Sequence, residues 1–144
     1  MEEKCNIKRE KKAKIVVLMS TYNGEAYIQE QLESILSQTY SSVKIYVRDD
    51  GSKDHSLEIL RQYEKENKIV LLKGKNKGFI GSFFSLLKEC EDAEYYAWCD
   101  QDDIWLPDKL ARAVELLEKG AKEIPVLYFS DYDYYDQNMN FQKH

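Results

Sequence analysis

From Lys14 to Met19 the chain reads Lys-Ile-Val-Val-Leu-Met, aliphatic and β-branched with no polar alternation. A strand of that kind must hide both faces, which the interior of a sheet covered on both sides allows. Everything after it repeats a single pattern. Turn formers at Ser20–Gly24 break the run, and Ile28, Leu32, Ile35 and Leu36 then recur at helical spacing. Val43–Arg48 is the next strand, stopped by Asp49–Ser52; Ser52 and Asp54 are both N-cap residues for a helix that buries Leu57, Leu60 and Tyr63. Ile69–Leu72 gives a third strand, closed by the Lys73–Gly78 loop. Phe79, Ile80, Phe83, Phe84, Leu86 and Leu87 then crowd a helix expected to be buried over a wide arc. Glu94–Cys99 is a fourth strand that runs into Asp100–Asp103. Pro107 suits the first position of a helix that buries Leu110, Val114 and Leu117 and ends before Gly120. Val126–Ser130 reads as a fifth strand, and the remainder is polar and aromatic without periodicity. Strands alternating with helices require an α/β fold, a mostly parallel sheet with helices on both faces.

Three segments follow: a charged lead-in at 1–13, expected to be disordered, one domain over 14–131, and a tail at 132–144. The lead-in gathers Lys4, Lys8, Arg9, Lys11, Lys12 and Lys14; a solvated arm and a weak contact with anionic headgroups both fit it. Net charge is −5, which excludes a general nucleic-acid binder. The longest strictly apolar run, Ile15–Met19, is far below the roughly 20 residues of a membrane span. Without a signal peptide at the charged start, the expected location is the cytoplasm, including the inner face of the membrane. Cys5, Cys90 and Cys99 are an odd set without CxxC spacing. They fit reduced thiols, with Cys90 and Cys99 as small core residues.

The chemistry gathers where strands end, which is where open parallel sheets bind ligands. Asp100, Asp102 and Asp103 put three carboxylates within four residues of one another. Packed so closely they raise one another's pKa unless a cation neutralises them, and hard oxygen ligands suit Mg²⁺ or Mn²⁺ together with substrate phosphates. A solvated loop capping the next helix is the plainer alternative. Asp49 and Asp50 read either as a turn and helix cap or as acceptors for the N–H of a nucleobase. Tyr22 is either a rim aromatic or a flat face for a base. Lys75 and Gly78 lie in a loop that is surface on one reading and a phosphate cradle on the other.

In this order and spacing, five strings carry a resemblance: Val17–Gly24, Ser37–Tyr40, Arg48–Asp54, Asn76–Gly78 and Asp100–Leu110. Together they resemble family 2 glycosyltransferases from about Lys14 to Asp131. The resemblance implies a GT-A (Rossmann-like) fold that holds a nucleoside-diphosphate sugar, a UDP- or dTDP-sugar. It implies that Tyr22 stacks on the base, that Asp50 with Asp49 beside it reads the base, and that Ser20, Asn23 and Glu25 line the donor pocket. Asp100–Asp102 would be the family's DxD element, with Asp102 the first metal contact and Asp100 the second. The Trp105–Pro107 variant of that element is similar to the rhamnosyltransferase branch, whose acceptors are cell-surface polysaccharides, saccharide or lipid-linked. The resemblance also places the acceptor site and the general base further along than His144, so turnover by these 144 residues alone is not expected.

Other classes compete. A non-catalytic nucleotide-sugar-binding module would use the same pocket and dock a partner or second copy beyond residue 131; a homodimer would cover an open sheet edge. A phospho-receiver wants an acid pair after the first strand, where this chain has Ser20–Asn23. A nucleotidyltransferase wants a basic, glycine-rich loop there. Gly74–Gly78 is no P-loop, because no Gly-Lys-Ser/Thr closes it.

Overall fold

The structure, a computed structural model, describes residues 12–120, 123–136 and 140–143. Four parallel strands, β1 (Ile15–Thr21), β2 (Val43–Asp49), β3 (Val70–Lys73) and β4 (Tyr95–Cys99), lie in the order β3-β2-β1-β4. The connections are α1 (Ile28–Leu36), α2 (Ser56–Lys65) and α3 (Gly78–Glu89), and α4 (Lys109–Glu118) follows β4. The expected α/β class stands, and so does the double burial of β1.

Strand parity sorts that burial into two cores. Ile15, Val17 and Met19 point to one face, where they meet Ile28 and Leu32 of α1, Leu60 of α2 and Leu110 of α4. Val16 and Leu18 point to the other, where Phe83 and Leu86 of α3 cover them. Cys99 is buried in the first core, with the Gln31 amide against its sulfur, and Cys90 packs at the margin of the second. Burial pushes the Cys99 thiol far above its ordinary value, which keeps it inert.

Several expectations are corrected. Helix α3 buries only a stripe made of Ser82, Phe83, Ser85 and Leu86; Phe79 is 67% exposed, and Ile80 and Phe84 are also open. The reason is width: α3 packs mainly over β1 and β2, and Phe79, Ile80 and Phe84 lie off that contact, lining a cavity at the β4 end. Val126–Ser130 is not a strand. No described strand pairs with it, and Leu127 and Phe129 are 79% and 85% exposed. The tail does have order, a small antiparallel pair of β5 (Tyr134–Tyr135) and β6 (Phe141–Lys143). Neither Ser52 nor Asp54 is the N-cap of α2, which is His55 without a side-chain cap bond. The Ser52 hydroxyl accepts the Asn23 N–H, and Asp54, one residue earlier than the cap, accepts the Ser56 N–H. Pro107 stands before the N-cap Asp108 rather than inside α4, and its carbonyl takes the Thr39 N–H. Residues 1–11, most of the lead-in, lie outside the described residues.

Candidate functional site

Register brings the polar strand ends together. Thr21 lies beside Asp49 and Met19 beside Cys99, so the segments 22–25, 49–52 and 100–103 leave the sheet side by side. Strand order reverses between β1 and β4, which is where an open α/β sheet forms its ligand crevice.

The β2 end is a buried electrostatic knot. Arg48 and Asp50 are each 3% exposed, and Arg48 Nη2 donates to Asp50 Oδ1 at 3.1 Å and to the Lys75 carbonyl at 3.1 Å. The other Asp50 oxygen accepts the backbone N–H groups of Lys77 and Gly78 at 2.8 and 3.1 Å. Gly74 leaves room for the guanidinium: a Cβ there would stand 2.5 Å from Arg48 Nη2. Asp49 uses Oδ2 for the N–H groups of Gly51 and Ser52, both at 3.2 Å, while its Oδ1 is buried without a partner. Asp50, the expected reader of a base, is therefore saturated within the fold, and Asp49 carries the unused oxygen. Gly78, expected to approach phosphate, gives its N–H to Asp50 and to Asn76 Oδ1; Lys75 presents an exposed side chain.

The β1 end is a stitched loop. Asn23 has φ of 50°, and its Oδ1 accepts the Lys53 N–H at 2.8 Å. Gly24 N–H donates to Ser56 Oγ, and Glu25 N–H donates to Asp54 Oδ2. Glu25 Oε2 accepts the His55 N–H and meets His55 Nδ1, both at 2.8 Å. Those hydrogen bonds lower the Glu25 pKa and raise that of His55. Asn23 and Glu25 thus hold the loop against the start of α2. Tyr22, between these bonds and β4, is 43% exposed. Ser20 donates to Ser82 Oγ at 2.6 Å and fastens α3 to the strand end.

The β4 end carries the acids. Asp100 and Asp103 line a cavity of about 310 Å³ whose remaining walls include Phe79, Ile80, Phe83 and Trp98. Burial raises the pKa of both, and Asp102 adds to the shift at Asp100. Carboxylates that repel each other beside apolar walls fit a divalent cation, whose charge would reverse that shift. No group of three ligating side chains converges among the described residues. One or two carboxylates completed by phosphate oxygens is the usual habit of Mg²⁺, which seldom takes an all-protein cage.

Sequence reasoning missed three residues here: Arg48, Ser82 and Gln101. Arg48 had a signal, a cation near the end of the strand, two residues before Asp50 and so on its face. Gln101 reaches back to Thr21 and Tyr22, 80 and 79 positions away. Nothing local announces that contact.

The comparisons agree with this geometry. The family model described as Glycosyl transferase family 2 matches residues 16–143. The dTDP-rhamnosyl transferase RfbG of Shigella flexneri is 38% identical over 105 residues, 69% of this chain and 36% of that relative. An uncharacterized glycosyltransferase of Haemophilus influenzae is 37% identical over 108 residues, 74% of this chain and 33% of its own. The chain thus spans about a third of the length of the curated relatives it matches. Among solved structures, S. aureus TarS 1–349 in complex with UDP-GlcNAc superposes with a TM-score of 0.67 at 28% identity, over 74% of this chain and 31% of that one. The mannosyltransferase PcManGT from Pyrobaculum calidifontis, in complex with GDP-Man and Mn²⁺, gives 0.67 at 24% identity over 74% and 33%, a likeness of fold. The fold is GT-A.

Proposed function

The chain belongs to glycosyl transferase family 2, and on that premise we propose that residues 14–131 hold a nucleoside-diphosphate sugar with Mg²⁺ or Mn²⁺ for glycosyl transfer. One observation carries the reading: Tyr22, Asp49 and the Asp100–Asp103 loop leave three adjacent parallel strands at one edge, at the point where strand order reverses. In this reading Tyr22 offers its ring to the base. Asp49 Oδ1 accepts the base N–H in place of Asp50, because Asp50 is fully engaged by Arg48 and the 77–78 amides.

Asp102, with Asp100, would hold the cation, which supplies positive charge for the departing diphosphate. The exposed Lys75 adds a further cation beside the crevice. An acceptor hydroxyl then displaces the nucleoside diphosphate at the anomeric carbon. The names of RfbG and of the TarS complex support a UDP- or dTDP-sugar donor. The acceptor in this reading is a saccharide or lipid-linked saccharide of the cell surface. Transfer takes place on the cytoplasmic side of the membrane; no helix among the described residues is long and apolar enough to cross one.

Calorimetric titration of the chain with UDP and with dTDP, each with Mn²⁺ and with EDTA, tests the proposal. Metal-dependent binding of either is expected. A folded chain that binds neither would sink the donor-site reading.

A further inference from the structure

Between the acids of the β4 end stands Gln101, a side chain with no acid–base or metal chemistry of its own. Its amide oxygen accepts Thr21 Oγ1–H at 2.7 Å and the Tyr22 N–H at 3.0 Å, and its amide nitrogen donates to the Tyr22 carbonyl at 3.4 Å. The Tyr22 N–H can only donate, so it fixes which end of the amide faces the strand. Gly24 completes the seat: a Cβ there would stand 2.5 Å from Gln101 Oε1 and 2.9 Å from Thr21 Oγ1. Both main-chain groups of Tyr22 are thus bonded to a residue of the acid loop. On its other side the loop is bonded to 52–56 through Asn23, Gly24 and Glu25. Tyr22 hangs between two anchors, and Gln101 is the one on the β4 side.

We propose that Gln101 is a positioning residue for the nucleobase: it fixes the Tyr22 ring by gripping the Tyr22 main chain from the acid loop, so that the segments facing base and diphosphate form one rigid unit. This rests on the donor-site reading above. It assigns Gln101 to the nucleoside share of the affinity and leaves the diphosphate share to the carboxylates and their cation. A residue that merely shaped the acid loop would act on both shares alike.

The test is therefore a ratio: how much more tightly UDP or dTDP binds than inorganic pyrophosphate, both with Mn²⁺, measured by calorimetry on the full chain. Gln101→Ala frees the Tyr22 main chain and is expected to lower that ratio about tenfold, within the range of one base–aromatic stack. Gln101→Glu keeps an acceptor for Thr21 Oγ1 and the Tyr22 N–H. It loses the donor to the Tyr22 carbonyl, so it keeps half of the grip, and the ratio should fall by less than in Gln101→Ala. Gly24→Ala is an independent route, since its Cβ expels the Gln101 amide from its seat; it should lower the ratio as Gln101→Ala does. A folded Gln101→Ala or Gly24→Ala protein with the wild-type ratio overturns the inference, as does a Gln101→Glu protein whose ratio falls further than that of Gln101→Ala. Wild-type chain that binds pyrophosphate and nucleotide equally, or neither, sinks the donor-site reading itself and this inference with it.

Discussion

Replacing Asp50 by alanine strips the counter-charge from an arginine that has nowhere to go. Arg48 is 3% exposed, its Nε already lacks a partner, and its remaining hydrogen bond runs to a neutral carbonyl, that of Lys75. Removing one member of a buried ion pair costs about 3–5 kcal/mol, because the survivor keeps its desolvation penalty and loses its attraction. The two amides released at Lys77 and Gly78 add little, since both residues are exposed and water can reach them. For a domain of this size such a loss lowers Tm by roughly 10–20 °C. Differential scanning calorimetry and urea unfolding of Asp50→Ala measure it directly.

Asp50→Asn separates the contributions, because it keeps an acceptor for the loop amides and drops the charge; it should be nearly as damaging as alanine. Exchange of both partners for apolar residues, Arg48→Met with Asp50→Leu, should recover most of the loss. If Asp50→Ala unfolds within about 1 kcal/mol of wild type, the pair is worth no more than a surface ion pair. The account of the β2 end would then be wrong.

Three further outcomes are expected. Tyr22→Ala should weaken nucleotide binding by about 1–3 kcal/mol in calorimetry while moving the unfolding midpoint far less than Asp50→Ala, because the residue lies at the surface and outside both cores. Asp102→Ala should abolish the difference between Mn²⁺ and EDTA titrations, a loss of at least about tenfold in metal-dependent affinity; an intact difference would remove Asp102 from the metal assignment. Glu25 and the His55 imidazole set a pH dependence. The raised His55 pKa gives stability that is fully present below its ordinary value of 6.5 and fades as pH rises through the higher folded value. Glu25, lowered, contributes above its ordinary 4.5 and loses that contribution as pH falls through its folded value. Thermal melts of wild type should decline as pH rises past the ordinary His55 value, and those of His55→Gln should not; an identical profile would discard the pair as a titrating contact.

The legible part of this chain was the part written locally. Burial of Ile15–Met19 on both faces, the helical spacing of Ile28, Leu32 and Ile35, and the polar residues after each strand could be read in order, and order alone brings such ends to one edge of a parallel sheet. What could not be read depends on partners distant in sequence. Val126–Ser130 has the composition of a strand, yet no described strand offers it a ladder. Phe79, Ile80 and Phe84 look like core residues in sequence, but α3 has a sheet beneath one stripe only. Asp49 and Asp50 are chemically identical neighbours. Which one is spent inside the fold was decided by the approach of the 75–78 loop and the placement of Arg48. Gln101 is the extreme case, a side chain whose role lies entirely in a contact 79 positions away.

The most direct measurement is an amide chemical-shift titration of isotope-labelled chain with dTDP or UDP and Mg²⁺. Shifts are expected at Tyr22, Gly51, Gly78 and the 100–103 loop, with Mn²⁺ broadening strongest around Asp100–Asp102. Shifts that gather elsewhere, such as around Lys14 and Ser41 at the opposite ends of the strands, would contradict a donor site at the carboxyl edge of this sheet.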